Sequence, residues 1–215
     1  RDLHSFPTRR SSDLNAARVM SEKMRDLECD DLQLDEIWGF VGKKQRHLRE
    51  DDDERRTGDA WTFCAIDRRT KAVPCFKVGK RDMETASAFV GDLAGRLINR
   101  VQISTDGLKA YVDAIEQNFG SDVDFGQIIK TYLTVESITP ERRYSAPIVT
   151  DVKRFAVAGN PDVSRICTSH IERVNATTRL HMKRLNRLTL AFSKKWENFE
   201  AAVALHSAFR SESVV

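Results

Sequence analysis

Apolar residues change their spacing several times along the chain, and each change marks a predicted element. Ala16, Val19, Met20, Met24 and Leu27 recur three and four apart, which predicts a connecting helix within residues 15–30. LQLDEIWGFV (32–41) is rich in β-formers and runs into a charged loop, GKKQRHLREDDDERRTG. Two further apolar runs follow, AWTFCAID (60–67) and AVPCFKV (72–78). Turn-like junctions at Gly58 and at 67–70 make an antiparallel meander the simplest arrangement of the three. Met83, Ala86, Phe89, Val90, Leu93, Leu97 and Ile98 return to a helical period. VQIST (101–105) reads as a strand ended by Asp106-Gly107, Leu108, Tyr111, Val112 and Ile115 mark another helix, and 127–133 gives a fifth strand. From 133 to 169, Pro140, Pro147, Gly159 and Pro161 interrupt any period, so the segment reads as an insertion or flap before a long late helix. The predicted order is βββαβαβα, an α/β domain with a mixed sheet.

Composition narrows the picture. A chain of 215 residues, 40% apolar, can bury one sizeable core. A net charge of +3 is only mildly basic, but between Ile171 and Lys195 seven Lys and Arg accompany a single acid, Glu172. Cys29, Cys64, Cys75 and Cys167 form no CxxC pair, and Cys64 and Cys75 sit among apolar neighbours, as reduced packed thiols do. No apolar run approaches the roughly 20 residues that span a bilayer, and none reads as a secretory signal, so a cytoplasmic protein without a membrane partner is expected. The first 14 residues lack a period, and their HSFPTRRSSDL portion resembles the conceptual translation of a short-read sequencing adapter; they are set aside as a non-native tail, the other reading being an ordinary basic tail.

Three acids stand where chemistry could use them: Asp35 in the first strand, Asp106 at the end of the fourth, and Glu172 in the first turn of the late helix. In this strand order the first and fourth strands are expected neighbours, so Asp35 and Asp106 would face one another with Glu172 brought alongside. Carboxylates about 5 Å apart repel by roughly 3 kcal/mol at an effective dielectric of 20, so an ionised cluster needs raised pKa values or bound cations, Mg²⁺ being the natural partner. Each acid alone also has an ordinary structural reading. Asp35 would be a solvated edge residue, Asp106-Gly107 a turn, and Ser169 with Glu172 a capping box. The acid run at 50–54 reads as a solvated loop, His170 as a capping or surface residue, His181 as packed, and Trp38, Trp61 and Trp196 as core.

Helix geometry adds independent support. At roughly 100° per residue, Glu172, Asn175, Arg179, Lys183, Asn186 and Arg187 share an arc of about 120°. Val174, Thr178, Leu185 and Leu188 fall on the opposite, sheet-packing side. Glu172 would thus head a polar and basic stripe able to grip phosphates, unless the stripe is merely a solvated face.

LQLDEIWGFV, AWTFCAID, STDGLKAY and TSHIERVNATTRLHMKRLNRLTLAFSKKWENFEAAVALH, in that order, resemble the transposases of the insertion-sequence-one family, bacterial enzymes with an RNase H-like fold and a DDE triad. The similarity runs from about 31 to 206 and includes a basic residue, Arg179, seven after the glutamate. It implies an RNase H-like mixed sheet with an insertion before the last catalytic helix. Asp35, Asp106 and Glu172 would be catalytic residues and metal ligands for two Mg²⁺ ions, with Mn²⁺ as a substitute. Arg179 and Lys183 would contact DNA, beside Asn175, Asn186 and Arg187 on the same predicted face. The implied activity is hydrolysis that frees a 3′-hydroxyl at the element end, then strand transfer into target DNA. Implied partners are double-stranded DNA and further copies of the chain, in the cytoplasm at the bacterial nucleoid. The ending SAFRSESVV departs from the family's Tyr-Asn and Arg-x-His pattern, so 207–215 is an atypical tail. An RNase H-like nuclease or resolvase, and a DNA-binding remnant without catalysis, are the rival functions.

Overall fold

The computed structural model describes residues 16, 18, 20–133 and 148–212. The tail at 1–14, residues 134–147 of the expected insertion and the last three residues lie outside the described residues. Six strands form one mixed sheet in the order β3-β2-β1-β4-β5-β6. They are β1 Asp31–Val41, β2 Gly58–Asp67, β3 Phe76–Gly79, β4 Val101–Thr105, β5 Val123–Tyr132 and β6 Val149–Ala158. The first three make the antiparallel meander, β4 and β5 run parallel to β1, and β6 returns antiparallel along β5. The α-helices are α1 Met83–Ala94, α2 Lys109–Phe119, α3 Ser169–His181 and α4 Trp196–Glu212.

Strand β1 is buried on both faces because helices cover each side of the sheet. Leu32 and Leu34 point into a core with Phe63, Phe89, Leu93, Tyr111 and Ile115, under α1 and α2. Ile37 and Val41 point the other way, toward Leu185, Phe199 and Val203. On that second side Cys64 and Ile66 meet Met20, Met24, Ile171, Val174 and Ala204. Each fully buried Leu, Ile or Phe contributes about 1.5–3 kcal/mol, so the two layers fix the sheet between them. Side chains two apart on a strand share a face. Gln33 and Asp35 therefore look toward α3, and Glu36 looks toward α2.

Several boundaries differ from the expectation, each for a local reason. The third strand begins only at Phe76, because Pro74 has no N–H to give a ladder, although the carbonyls of Ala72 and Cys75 still accept from Asp67 and Ala65 of β2. A sixth strand, β6, occupies part of the expected irregular insertion. It lies on the sheet edge with Val149, Val152, Phe155 and Val157 all 39–45% exposed, so it carries no inward-outward alternation. The late helix stops at His181 rather than continuing to 195; a 3₁₀ turn, Lys183–Leu185, follows, then extended chain and α4. A Cβ on Gly39 would stand 3.0 Å from Leu185 and Phe199, so the bare backbone of β1 lets this turn and α4 settle against it. Helix α4 runs unbroken past 206 to Glu212, and Ser211 bonds the backbone of Val73. The expected connecting helix ends early: residues 20–23 are helical but Leu27 bridges Leu97, and the Arg96 guanidinium ties the helix end to the body through the carbonyls of Met20 and Met24. The tryptophans are half-buried; Trp61 and Trp196 pack against the core as expected, and Lys44 lies over Trp38, Lys80 over Trp196 and Arg81 over Trp61. His181 is exposed rather than packed, since the helix ends on it. All four cysteines are free. No helix among the described residues is long and apolar enough to cross a membrane.

Candidate cation and phosphate site

The register of the two central parallel strands creates the site. Asp31 pairs with Gln102 and Gln33 with Ser104, an offset of 71 residues (102 minus 31) that also separates Asp106 from Asp35. Pairing ends there because β4 stops at Thr105 and the chain turns at Asp106-Gly107. Beyond Gln33, β1 has an open edge facing that turn, and the carboxylates gather in the notch. Asp106 Oδ1 accepts the Leu108 N–H at 2.9 Å, and Gln127 Nε2 donates to the Asp106 carbonyl at 2.8 Å. Asp106 thus caps the turn with one oxygen and leaves the other uncommitted.

Helix α3 is fastened over the notch by Gln33, two residues before Asp35. Its Oε1 accepts the N–H groups of His170 (2.9 Å) and Ile171 (3.1 Å), satisfying two of the donors that a helix start leaves open. The expected Ser169–Glu172 capping box is replaced: Thr168 is the N-cap, and its hydroxyl donates to Glu172 Oε1 at 2.5 Å. One turn further on, Asn175 Nδ2 donates to Asp35 Oδ2 at 2.8 Å.

Carboxylate oxygens of Asp35, Glu36 and Asp106 all lie within 4.8 Å of one another and could together hold a metal ion. Burial first, then the charges of Glu36 and Asp106, push Asp35 up to about 7, against the opposing Asn175 bond. Glu36 is raised as well, by burial first and by Asp106, while Tyr111 and Arg81 oppose the shift. Glu172 stands outside this trio but lines the same cleft, of about 710 Å³, with Asp35, Asp106, Arg81, Lys109 and Lys130. Its carboxylate is half exposed and ion-paired to Lys130. Hard, closely spaced oxygen donors of this kind fit Mg²⁺ or Mn²⁺. The notch is acidic, and Arg81, Lys109 and Lys130 make its rim cationic.

No family model matches the chain, and no curated protein matches it.

The remaining sequence candidates are scattered by the early end of α3. Asn175 is buried on Asp35. Arg179 is half-buried and donates to the carbonyls of Trp38 and Leu185, bracing the turn against β1. Lys183 and Arg187 are exposed and Asn186 half-buried, all beyond the helix, so the single helical stripe expected from Glu172 to Arg187 does not form. His170 Nδ1 lies 3.1 Å from Lys71 Nζ; burial, then Lys71 and Arg68, hold it below its usual range. Glu36, Arg81, Lys130, Gln33 and Tyr111 escaped the sequence reading. Their roles depend on where β4 ends against β1, which no local pattern announces.

Proposed function

We propose that this chain is a DNA transposase of the insertion-sequence-one family, with an RNase H-like catalytic domain that cleaves and joins DNA at the notch between β1 and β4. The sheet order and the two helical layers are compatible with that fold. One observation carries the reading: Asp35 and Asp106 converge on the floor of a cleft whose rim holds Arg81, Lys109 and Lys130, with Glu172 on the α3 side. An acidic floor repels a phosphodiester unless cations intervene, whereas a cationic rim attracts one. Asp35, Asp106 and Glu172 would hold divalent cations, Mg²⁺ or Mn²⁺ in its place, which supply Lewis-acid stabilisation of the attacking and leaving oxygens when bound. Asn175 orients Asp35, and the Asp106 turn fixes the second carboxylate before substrate arrives. The rim cations grip phosphates of double-stranded DNA, and exposed Lys183 and Arg187 extend the grip. Arg179 acts in this reading by holding the turn that presents them. A second copy on the DNA would serve the other element end.

The test uses labelled DNA carrying the element ends, Mg²⁺, and the variants D35A, D106A and E172A. Each variant should lose strand nicking and joining by at least about a hundredfold while DNA binding persists. Retained nicking in D35A or D106A would sink the reading. Nicking without joining by the wild-type chain would identify a nuclease or resolvase instead, and DNA binding without nicking a catalytically silent remnant.

A further inference from the structure

Glu36 is the least expected member of the acidic trio. It follows Asp35 directly, so its side chain leaves the opposite face of β1, toward Tyr111 and Phe63. The open edge beyond Gln33 lets both carboxylates turn into the same gap, one from each face. The Glu36 side chain is 2% exposed, and its Oε2 accepts from Arg81 Nε at 3.2 Å and Nη2 at 3.1 Å. Arg81 is itself held over the Trp61 ring, 4.9 Å from its centroid. Glu36 Oε1 has no hydrogen-bond partner. The hydroxyl of Tyr111, fully buried in α2, lies beside Glu36 and interacts with its carboxylate. A buried carboxylate oxygen that no hydrogen bond satisfies is costly, and one on a side chain gathered with Asp35 and Asp106 marks an acceptor that a cation would complete.

We propose that Glu36 is a third carboxylate ligand of the divalent cation bound by Asp35 and Asp106, with Arg81 as the residue that positions it. The inference rests on reading the cleft as a cation-dependent site. Glu172, on the rim with Lys130, falls outside this first ion's set. Arg81 leaves Oε1 free by occupying Oε2, and it offsets part of the negative charge so that three acids can coexist before a cation binds.

Mn²⁺ titration followed by electron paramagnetic resonance of the free ion tests this in wild type, E36Q, D106N and E172Q. Gln keeps the shape of Glu36 and an acceptor for Arg81 but lacks the charge. E36Q should weaken the tightest Mn²⁺ by about tenfold or more, as D106N does, and by more than E172Q. Wild-type affinity in E36Q, or a larger loss in E172Q than in E36Q, would overturn the assignment. Anomalous diffraction from Mn²⁺-soaked wild-type crystals is independent of how E36Q folds. An ion within roughly 2.3 Å of a Glu36 oxygen is expected, and one farther than about 3.5 Å would overturn the assignment. Wild-type DNA nicking judges the enzymatic reading separately: nicking by a wild type whose E36Q variant binds Mn²⁺ normally would refute the ligand and keep the enzyme.

Discussion

Replacing Asp35 with Asn should make the cation-free protein more stable, and only above acidic pH. Asp35 titrates near 7 in the fold against an ordinary 3.8, chiefly because it is buried and secondly because Glu36 and Asp106 repel its charge. The folded-state value lies above the unfolded one. Its contribution to stability is therefore full below about pH 4 and is lost as pH rises through 7. Three pKa units correspond to about 4 kcal/mol by pH 8. Asn keeps an acceptor for Asn175 Nδ2 but gives up the charge assistance of that bond, returning about 1 kcal/mol. D35N should thus exceed wild type by roughly 2–4 kcal/mol at pH 8 in EDTA, a rise in Tm of about 5–15 °C for a domain of this size, and by less than about 1 kcal/mol at pH 4. Urea and thermal unfolding at pH 4, 6 and 8 measure this directly. Millimolar Mg²⁺ should narrow the gap at pH 8 by stabilising wild type more than D35N. A D35N protein no more stable than wild type at pH 8, or equally favoured at pH 4 and pH 8, would refute the account of a carboxylate held in strain for a cation.

Three further changes probe what surrounds the notch. Gln33→Leu strands the N–H groups of His170 and Ile171, so it should cost about 1–3 kcal/mol in urea unfolding and speed amide exchange at both positions; unchanged exchange would show that Gln33 does not fasten α3. Lys130→Met frees Glu172, and it should raise the affinity of a second, weaker class of Mn²⁺ sites by up to about fivefold, the range of a partly exposed ion pair; an unchanged or lowered affinity would mean that the pair does not compete with a cation. His206 is held below its ordinary range by burial, then by His181 and Arg210, so its stabilising contribution is present above about pH 6.5 and is lost as pH falls through its folded value. His206→Gln should therefore lose less stability than wild type between pH 7 and pH 5, and parallel pH profiles of the urea midpoint would contradict this.

The parts of this fold legible in the sequence are those written as a local period. The meander, the helix at Met83–Ala94 and the strand Val101–Thr105 declare themselves because each buries one face or both against a continuous core. Strand β6 was illegible because an edge strand exposed along its length has no alternation to read. The apolar spacing overextends the late helix for the opposite reason: Leu185 and Leu188 continue it past His181, yet Leu185 is buried through a 3₁₀ turn and Leu188 is 73% exposed. Periodicity records which residues want burial, not whether one helix delivers them. The same distinction governs the site. The approach of Asp106 to Asp35 is readable from β1 and β4 being neighbours, since the ladder offset of 71 residues extends to the two acids beyond its end. Glu36 is not, since alternation assigns it to the other face and does not show that side chains from both faces can bend round an unpaired edge. Where β4 ends, the unflanked edge lets carboxylates from both faces meet. A parallel strand that stops short of its neighbour thus concentrates charge in a way that strand pattern alone forbids, and the cost of that concentration is what a bound cation would offset.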